Sequence, residues 1–379
     1  MFERIFKLSE HKTTVKTEVM AGITTFMTMA YILAVNPSVL GSTGMDTTAV
    51  LLATALASCL GTLCMAFMAN LPFALSAGMG LNAFMAYTVV AGYGYSWQVA
   101  LLAVFIEGLI FIVLSLTNVR EAIFNAIPLT LKKGVSVGIG LFIAFIGLQN
   151  SGLCVDSATL VGIISFPENF HTAGICALLT LIGLFFTAVF YTRKMKGAIL
   201  YGILLTWILG MLCQVTGLYV PTPDAGFYSL FPSWGMTDFS KLGLTFGQCF
   251  NVDFSAVGIV NFIVVIFSFL FVDIFDTLGT LIGVATKAKM LDKDGKLPGI
   301  KPALLADSIA TSAGAILGTS TTTTFVESAS GVAVGGRTGL TALVTGILFL
   351  VSTLFAPIFT AIPSFATAPA LIMVGFLMV

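Results

Sequence analysis

A polar, threonine-rich segment inside a long apolar region constrains the fold of this chain more than any other feature. The segment reads GTSTTTTFVESASGVAVGGR (Gly318 to Arg337), with hydroxyl side chains from Thr319 to Thr324 and then the acid Glu327. Threonine favours extended backbone, and hydrocarbon offers no hydrogen-bond partners, so such a segment at membrane depth must be covered by protein or line a cavity. We therefore predict a broken transmembrane element, with a short strand and then a half-helix that carries a carboxylate at a binding site.

The composition predicts an all-α polytopic membrane protein. Hydrophobic residues make up 58% of the chain and charged residues 9%, and the mean hydropathy is +1.04. The net charge is zero, so no basic field indicates nucleic-acid binding. The six cysteines are scattered without a CxxC pair, and we predict no metal site, disulfide or cofactor. The glycine-rich AGMG stretch lacks the lysine of a phosphate-binding loop, which argues against a nucleotide-driven pump, and no pattern indicates an enzyme.

Apolar runs long enough to cross a bilayer recur along the whole chain. We predict about twelve segments of roughly 20 residues. They are 19–40, 47–69, 72–90, 97–116, 129–148, 172–191, 198–216, 255–284, 303–317, the broken element, 340–359 and 361–379. If each crosses once and the N-terminus is cytoplasmic, Lys241 alone of the 17 basic residues lies outside, as the positive-inside bias requires.

The arrangement of these segments predicts an inverted repeat. The polar connection 217–253 follows the seventh segment, so the second half of the chain enters the membrane in the opposite orientation to the first. We predict a first repeat at 1–216, an extracytoplasmic connection at 217–253 and a second repeat at 254–379. The third segment then corresponds to the tenth, and it too carries an interruption, AGMGLNAF, which includes Asn82. A seven-plus-seven plan leads us to expect two further segments after Val379.

Acidic residues within the predicted membrane segments indicate the functional site. In the eighth segment Asp273, Asp276, Thr277 and Thr280 share one helical face. Charges are costly in hydrocarbon, so we predict that this stripe faces a cavity and that function outweighs a structural role. Glu327 can line a site, cap the half-helix that follows, or do both.

Other polar residues in these segments favour structural roles or leave the choice open. Glu107 and Asp307 are single acids in their segments, and we favour a structural role for each. Thr24, Thr28 and Tyr31 share a face of the first segment. Threonine in membrane helices often bonds its own backbone, so these residues either line the site or satisfy their own helix.

Four motifs together resemble the AzgA-like purine permeases, a branch of the nucleobase:cation symporters that also include uracil and xanthine permeases. They are EVMAGITTFMTMAYILAVNP, AGMGLNAF, FVDIFDTLGTLIG and TSTTTTFVESASGVAVGGRTG, and the similarity extends over the whole chain. The resemblance implies fourteen segments in two inverted repeats of seven, with a core domain and a gate domain. It also implies a short strand in each of segments three and ten, with the purine between the half-helices.

The resemblance assigns roles to individual residues. Asn82, Asp273 and Glu327 match positions that contact the purine in relatives, and Asp276 matches a position implicated in coupling or site integrity. Carboxylates and an amide can read the donors and acceptors on a purine edge. Aromatic side chains could stack on the base, with candidates by position at Phe26, Tyr31, Phe84 and Phe325.

We therefore expect a multi-pass protein of the cell membrane that imports adenine, guanine or hypoxanthine by proton symport and alternating access. One acid among Asp273, Asp276 and Glu327 would take up the proton. The alternative is an anion exchanger or channel with the same architecture. The preferred purine, coupling to protons over sodium, and a homodimeric state, which the resemblance implies for many members, are left open by the sequence.

Overall fold

The computed structural model describes residues 2–117, 119, 128–157, 160–222, 226–232, 235–253, 257–287, 290–291 and 297–378. Within these residues, eight helical segments are long and apolar enough to cross a membrane, and three shorter apolar helices accompany them. Together with the broken element, they occupy each of the predicted segment positions. The predicted class, a polytopic and mainly helical membrane protein, is confirmed.

The secondary structure alternates long helices with short irregular elements. The α-helices are α1 (Phe2–Phe6), α2 (Val15–Met29), α3 (Ile32–Gly41), α4 (Thr47–Cys64), α5 (Met79–Ala83), α6 (Trp97–Leu116), α7 (Leu129–Asn150), α8 (Ile175–Thr192), α9 (Ala198–Val215), α10 (Ile259–Lys287), α11 (Ile300–Leu317), α12 (Ser328–Val334), α13 (Gly339–Ser352), α14 (Ala356–Thr360) and α15 (Ser364–Met378). The strands are β1 (Leu75–Ala77), β2 (Cys154–Ser157), β3 (Leu160–Ile163) and β4 (Thr322–Thr324). π-Helical turns extend α4 over Met65–Ala69 and α5 over Phe84–Gly92, and one precedes α8 at Phe170–Gly174.

The chain forms two compact units, each built from both halves of the sequence. The first unit comprises Met1–Ser136 and Thr237–Ala356, and the second comprises Val137–Met236 and Pro357–Val379. Each unit therefore draws helices from both predicted repeats. The predicted repeat boundaries, 1–216, 217–253 and 254–379, stay a prediction.

In the first unit, strands from the third and tenth segments pair with each other. β1 and β4 are antiparallel, with Leu75 opposite Thr324 and Ala77 opposite Thr322, and every residue of both strands is buried. The backbone pairing continues at both ends, since Gly78 N donates to Thr321 O at 2.9 Å and Phe325 N donates to Ala74 O at 3.0 Å. The predicted strands in segments three and ten are thus confirmed.

The second unit contains a β-hairpin that the sequence analysis did not predict. β2 and β3 pair antiparallel, with Cys154 opposite Ile163 and Ser157 opposite Leu160. The expectation of an all-α chain therefore overlooked this hairpin, which lies in the connection between the fifth and sixth segments. Its strands are short and include Ser157 and Asp156, so it gives no apolar signal of membrane length.

Close helix packing in the second unit depends on paired glycine and threonine residues. A side chain at Gly183 of α8 would collide with Thr206 of α9, and one at Gly202 of α9 would collide with Thr187 of α8. Both threonine hydroxyls donate to their own helix, Thr187 to Gly183 O and Thr206 to Gly202 O, each at 2.7 Å. Small residues let helix backbones approach where lipid supplies little driving force for association.

A buried carboxylate from the first segment organises the start of α13 in the first unit. Glu18 is fully buried, and its two carboxylate oxygens accept from Arg337 N at 2.9 Å, Thr338 N at 3.3 Å and the Thr341 hydroxyl at 2.6 Å. Asn70 Oδ1 accepts from Gly339 N at 2.9 Å. These bonds satisfy N–H groups that a helix start leaves without partners.

We expect Glu18→Ala to destabilise the protein strongly, because each buried donor left unsatisfied costs about 1–3 kcal/mol. Glu10→Ala is the matched control, since Glu10 is exposed and makes only a surface ion pair with Lys7 at 3.5 Å. The measurement is the thermal denaturation midpoint of the purified protein in detergent. Equal midpoints for the two variants would show that the Glu18 contacts do not stabilise the fold.

Candidate functional site

Two half-helices begin beside the β1–β4 pair. α5 follows β1 after the single residue Gly78, and α12 follows β4 after Phe325, Val326 and Glu327. Because the strands are antiparallel, both helices start at the strand pair and lead away from it, so the N-terminal ends of both helices lie near the strands. A Cβ on Gly78 would meet the Thr323 side chain, so this position requires glycine.

Asn82 joins the third segment to the tenth. It lies in α5 and is 1% exposed, its Nδ2 is 3.5 Å from Ala77 O, and its Oδ1 accepts from the Ser320 hydroxyl just before β4. The amide therefore contacts the Thr/Ser run identified in the sequence. This predicted site residue lies beside the strand pair.

A cluster of two carboxylates and two hydroxyls lies where α10 meets β4 and α11. The Thr277 hydroxyl is 2.9 Å from Asp273 Oδ1, 3.1 Å from both carboxylate oxygens of Asp307, and 2.7 Å from the Thr323 hydroxyl. Asp273, Thr277 and Asp307 are all fully buried. A hydroxyl carries one proton, so Thr277 can donate to only one of these acceptors at a time. The four residues thus form one coupled group.

Asp276 and Glu327 approach the same region with partly accessible side chains. Asp276 lies one turn from Asp273, and its Oδ2 is 3.4 Å from the position that a Cβ on Gly78 would take. Glu327 Oε1 accepts from the Tyr31 hydroxyl of the first segment at 2.7 Å. The acids predicted from the eighth and tenth segments are therefore brought together around the strand pair.

The aromatic candidates occupy different surroundings. Phe325 is 5% exposed and lies between β4 and α12. Phe84 contacts Phe269 edge to face with ring centroids 4.9 Å apart, and Phe26 contacts Phe349 in the same way at 5.2 Å. Tyr31 contributes its hydroxyl to Glu327. A stacking role for any of them stays a prediction.

Two further threonines of the polar segment, Thr319 and Thr321, bind side chains of neighbouring helices. Thr321 donates to Glu107 Oε2 at 2.8 Å, and Asn36 Nδ2 donates to Thr319 at 2.9 Å and to Thr54 at 2.7 Å. Glu107 is fully buried, and the structural role that the sequence favoured for it stays a prediction. Every residue from Thr319 to Phe325 is buried, so this part of the polar segment is covered by protein.

Sequence reasoning missed three contributors to this site. Asp307 was assigned a structural role, yet it shares Thr277 with Asp273. Thr277 was recognised on the polar stripe but not as the shared hydroxyl, and Tyr31 was left among several open possibilities. The helical spacing of Asp273 and Thr277 was the available signal, whereas the approach of α11 and of Tyr31, which directly precedes α3, is a tertiary contact. Thr24 and Thr28 bond their own helix through Met20 O and Thr25 O, each at 2.8 Å.

Among the residues that the structure describes, no group of three or more His, Cys, Asp or Glu side chains is placed to hold a metal ion. The acids instead have hydroxyl partners from threonine and tyrosine. Such a site presents hydrogen-bond acceptors, and donors that can rotate, to a polar ligand.

Several curated proteins are similar to this chain along nearly all of its length. The adenine permease AdeP of Escherichia coli is 43% identical over 382 residues, which cover 100% of this chain and 80% of AdeP. The guanine/hypoxanthine permease PbuG of Bacillus subtilis is 47% identical over 384 residues, covering 99% and 82%. The nucleobase transporter PlAzg2 of Paenibacillus larvae is 34% identical over 364 residues, covering 96% and 68%.

A solved structure supports the fold independently. The transmembrane domain of the cyanobacterial bicarbonate transporter BicA is similar with a TM-score of 0.67 and 16% sequence identity, over 96% of this chain and 88% of that domain. The chain has the seven-plus-seven inverted-repeat transporter fold predicted from the sequence. The family model Xan_ur_permease, described as the Permease family, matches residues 16–379. From this match and the identities above, the chain belongs to the Permease family, among the AzgA-like members that the sequence motifs indicated.

Proposed function

We propose that this permease is a secondary transporter that imports purine nucleobases together with protons. The observation that carries the proposal is the convergence of Asn82, Asp273 and Glu327 around the β1–β4 pair. The curated relatives named as adenine and guanine/hypoxanthine permeases support the substrate class. Permease relatives also make an enzymatic activity implausible.

The chemistry of these side chains suits a purine ring. A purine edge combines ring N–H donors with ring nitrogen acceptors, and substituents add further donors or acceptors. Carboxylates accept from N–H groups, and the carboxamide of Asn82 can both donate and accept. Glu327 and Asp276 are partly accessible, so they are the acids best placed to reach a ligand, with Asp273 behind them in the buried cluster.

The density of acids around the strand pair supports proton coupling. Four carboxylates, those of Asp273, Asp276, Asp307 and Glu327, cannot all be charged in a low-dielectric region without compensating cations or protons. When one acid is protonated, its carboxyl group changes from an acceptor to a donor. The Thr277 hydroxyl can then donate its own proton to a different neighbour. Proton and purine binding would then be coupled thermodynamically, each raising the affinity for the other.

The transport cycle we propose is alternating access in the cell membrane, with the N-terminus in the cytoplasm. One acid is protonated from outside and the site binds purine. The unit that carries the acids then moves relative to the second unit and releases both ligands inside. A homodimer is compatible with this cycle but is not required by it.

The alternative is an anion exchanger or channel, because the fold is shared with a bicarbonate transporter. An anion site needs free positive helix ends or a cationic side chain. Here four acids lie around the strand pair, which opposes a bound anion. The purine proposal is therefore favoured.

The primary experiment is accumulation of radiolabelled adenine, guanine, hypoxanthine and uracil in nucleobase-transport-deficient cells that express the gene. We expect saturable purine uptake that collapses when a protonophore dissipates the proton gradient. Uptake that persists with the protonophore and requires external sodium would overturn proton coupling. Absence of any nucleobase uptake, with bicarbonate or sulfate transported instead, would establish the anion alternative.

We expect Asp273→Asn and Glu327→Gln each to reduce purine uptake by about tenfold to a hundredfold, since a hydrogen bond to a charged group contributes about 1.5–3 kcal/mol. Matched controls are Asp156→Asn and Glu10→Gln, because both residues are exposed. The measurement is initial uptake rate, normalised to protein in the membrane fraction. Normal accumulation by either site variant would remove that residue from the site.

We expect Thr277→Val to impair transport while preserving the fold. Valine keeps the shape of threonine but removes the hydroxyl shared by Asp273, Asp307 and Thr323, and loss of a hydrogen bond to a charged group costs about 1.5–3 kcal/mol. Thr286→Val on the same helix is the control, since the exposed Thr286 hydroxyl bonds only Ile282 O. The readout is the pH dependence of uptake. A profile identical to the wild type would show that Thr277 does not link the acids to proton binding.

A further inference from the structure

A cavity separate from the buried acids lies where the third segment ends and α10 begins, within the first unit. Its volume is about 480 Å³, and it is lined by Tyr93, Tyr95, Gly258, Asn261 and Val264. This volume is in the range of small-molecule sites in proteins. None of these residues belongs to the cluster around β1 and β4.

The tyrosines present open aromatic surface to this cavity. The centroids of the Tyr93 and Tyr95 rings are 6.0 Å apart and the ring planes are inclined at 59°, so the two rings do not stack on one another. Tyr93 is 55% exposed, whereas Tyr95 is 9% exposed and fixed against the protein. Gly94 between them has φ of +71°, a conformation that glycine adopts at low cost, and this turn places both rings at the cavity.

A polar side chain faces the rings from the other wall. Asn261 lies in the first turn of α10 and is exposed, and no hydrogen bond engages its amide within the described residues. An amide turned toward lipid would be costly, so the cavity is better suited to water and polar ligands than to acyl chains. Gly258 has no side chain and keeps the space in front of the amide open.

The two elements that form the walls of this cavity, the third segment and α10, also contain residues of the buried site. The third segment leads back from Tyr93 to Asn82, and α10 leads from Asn261 to Asp273, twelve residues or about 18 Å along the helix. Between the cavity and the buried site, Phe84 of the third segment contacts Phe269 of α10 edge to face. On the predicted topology, the cavity opens on the outer side of the membrane.

We propose that this cavity is an outer vestibule that binds a planar nucleobase before it reaches the acids. Tyr93 supplies an aromatic face for stacking, and the Asn261 amide reads the edge of the ring. Stacking of a base on an aromatic side chain contributes about 1–3 kcal/mol. The inference rests on the proposed function for its ligand class, and it assigns Tyr93 and Asn261 to capture and not to the coupled step.

The kinetic test separates capture from transport. We expect Tyr93→Ala and Asn261→Ala to raise the half-saturating purine concentration about fivefold or more, with an unchanged maximal rate. Tyr93→Phe should behave as the wild type, since the ring face is kept. Tyr228→Ala is the control for an exposed aromatic, because Tyr228 is 67% exposed and its backbone carbonyl, not its ring, accepts from the Tyr219 hydroxyl. Wild-type half-saturation in both alanine variants would overturn the vestibule.

A binding test distinguishes failure of the vestibule from failure of the proposed function. In Asn261→Cys, a membrane-impermeant thiol reagent added outside should label the protein above the background that the six native cysteines give in the wild type, and adenine should slow this additional labelling. Protection should persist when Asp273→Asn is combined with Asn261→Cys and transport is lost. Labelling that adenine does not slow overturns the vestibule even if purine uptake is normal. Absence of labelling means that lipid or protein fills the cavity, which also overturns it.

Discussion

The pairing of β1 with β4 is the interaction on which the rest of the first unit depends. Backbone N–H and C=O groups at membrane depth have no water to bind, and each unsatisfied group costs several kcal/mol. The two interrupted segments solve this problem jointly, because each supplies the hydrogen-bond partners that the other lacks. Neither strand could persist alone, so the third and tenth segments are fixed to each other in one register.

The threonine run extends this satisfaction from backbone to side chains. Thr319, Thr321 and Thr323 bind Asn36, Glu107 and Thr277 respectively, on three different helices. These partners are an amide, a carboxylate and a hydroxyl. A carboxylate becomes a donor when it is protonated, and a hydroxyl can rotate to donate to a different neighbour. In such a polar centre the backbone is held in place, whereas the side-chain protons can change position. Those properties suit a site that binds a polar ring and a proton together.

Two acids near helix starts illustrate how similar sequence features serve different ends. Glu18 is fully buried. Its two carboxylate oxygens accept hydrogen bonds from backbone N–H groups and one hydroxyl, so this residue stabilises the start of α13. Glu327 directly precedes α12, accepts one hydrogen bond from the Tyr31 hydroxyl and is partly accessible. The difference in accessibility, and not the residue type, separates a structural carboxylate from one available to a ligand.

The sequence by itself determined the membrane segments, the broken third and tenth elements, the strands within them, and the family. These features depend on local hydrophobicity, β-branched composition and long motifs, which are properties of contiguous residues. Only the tertiary structure decided that Asp307 shares Thr277 with Asp273, that Tyr31 binds Glu327, and that both halves of the chain contribute to each unit. Those contacts join residues up to 296 positions apart. No local pattern encodes them, because they depend on which helix faces meet after the strands have paired.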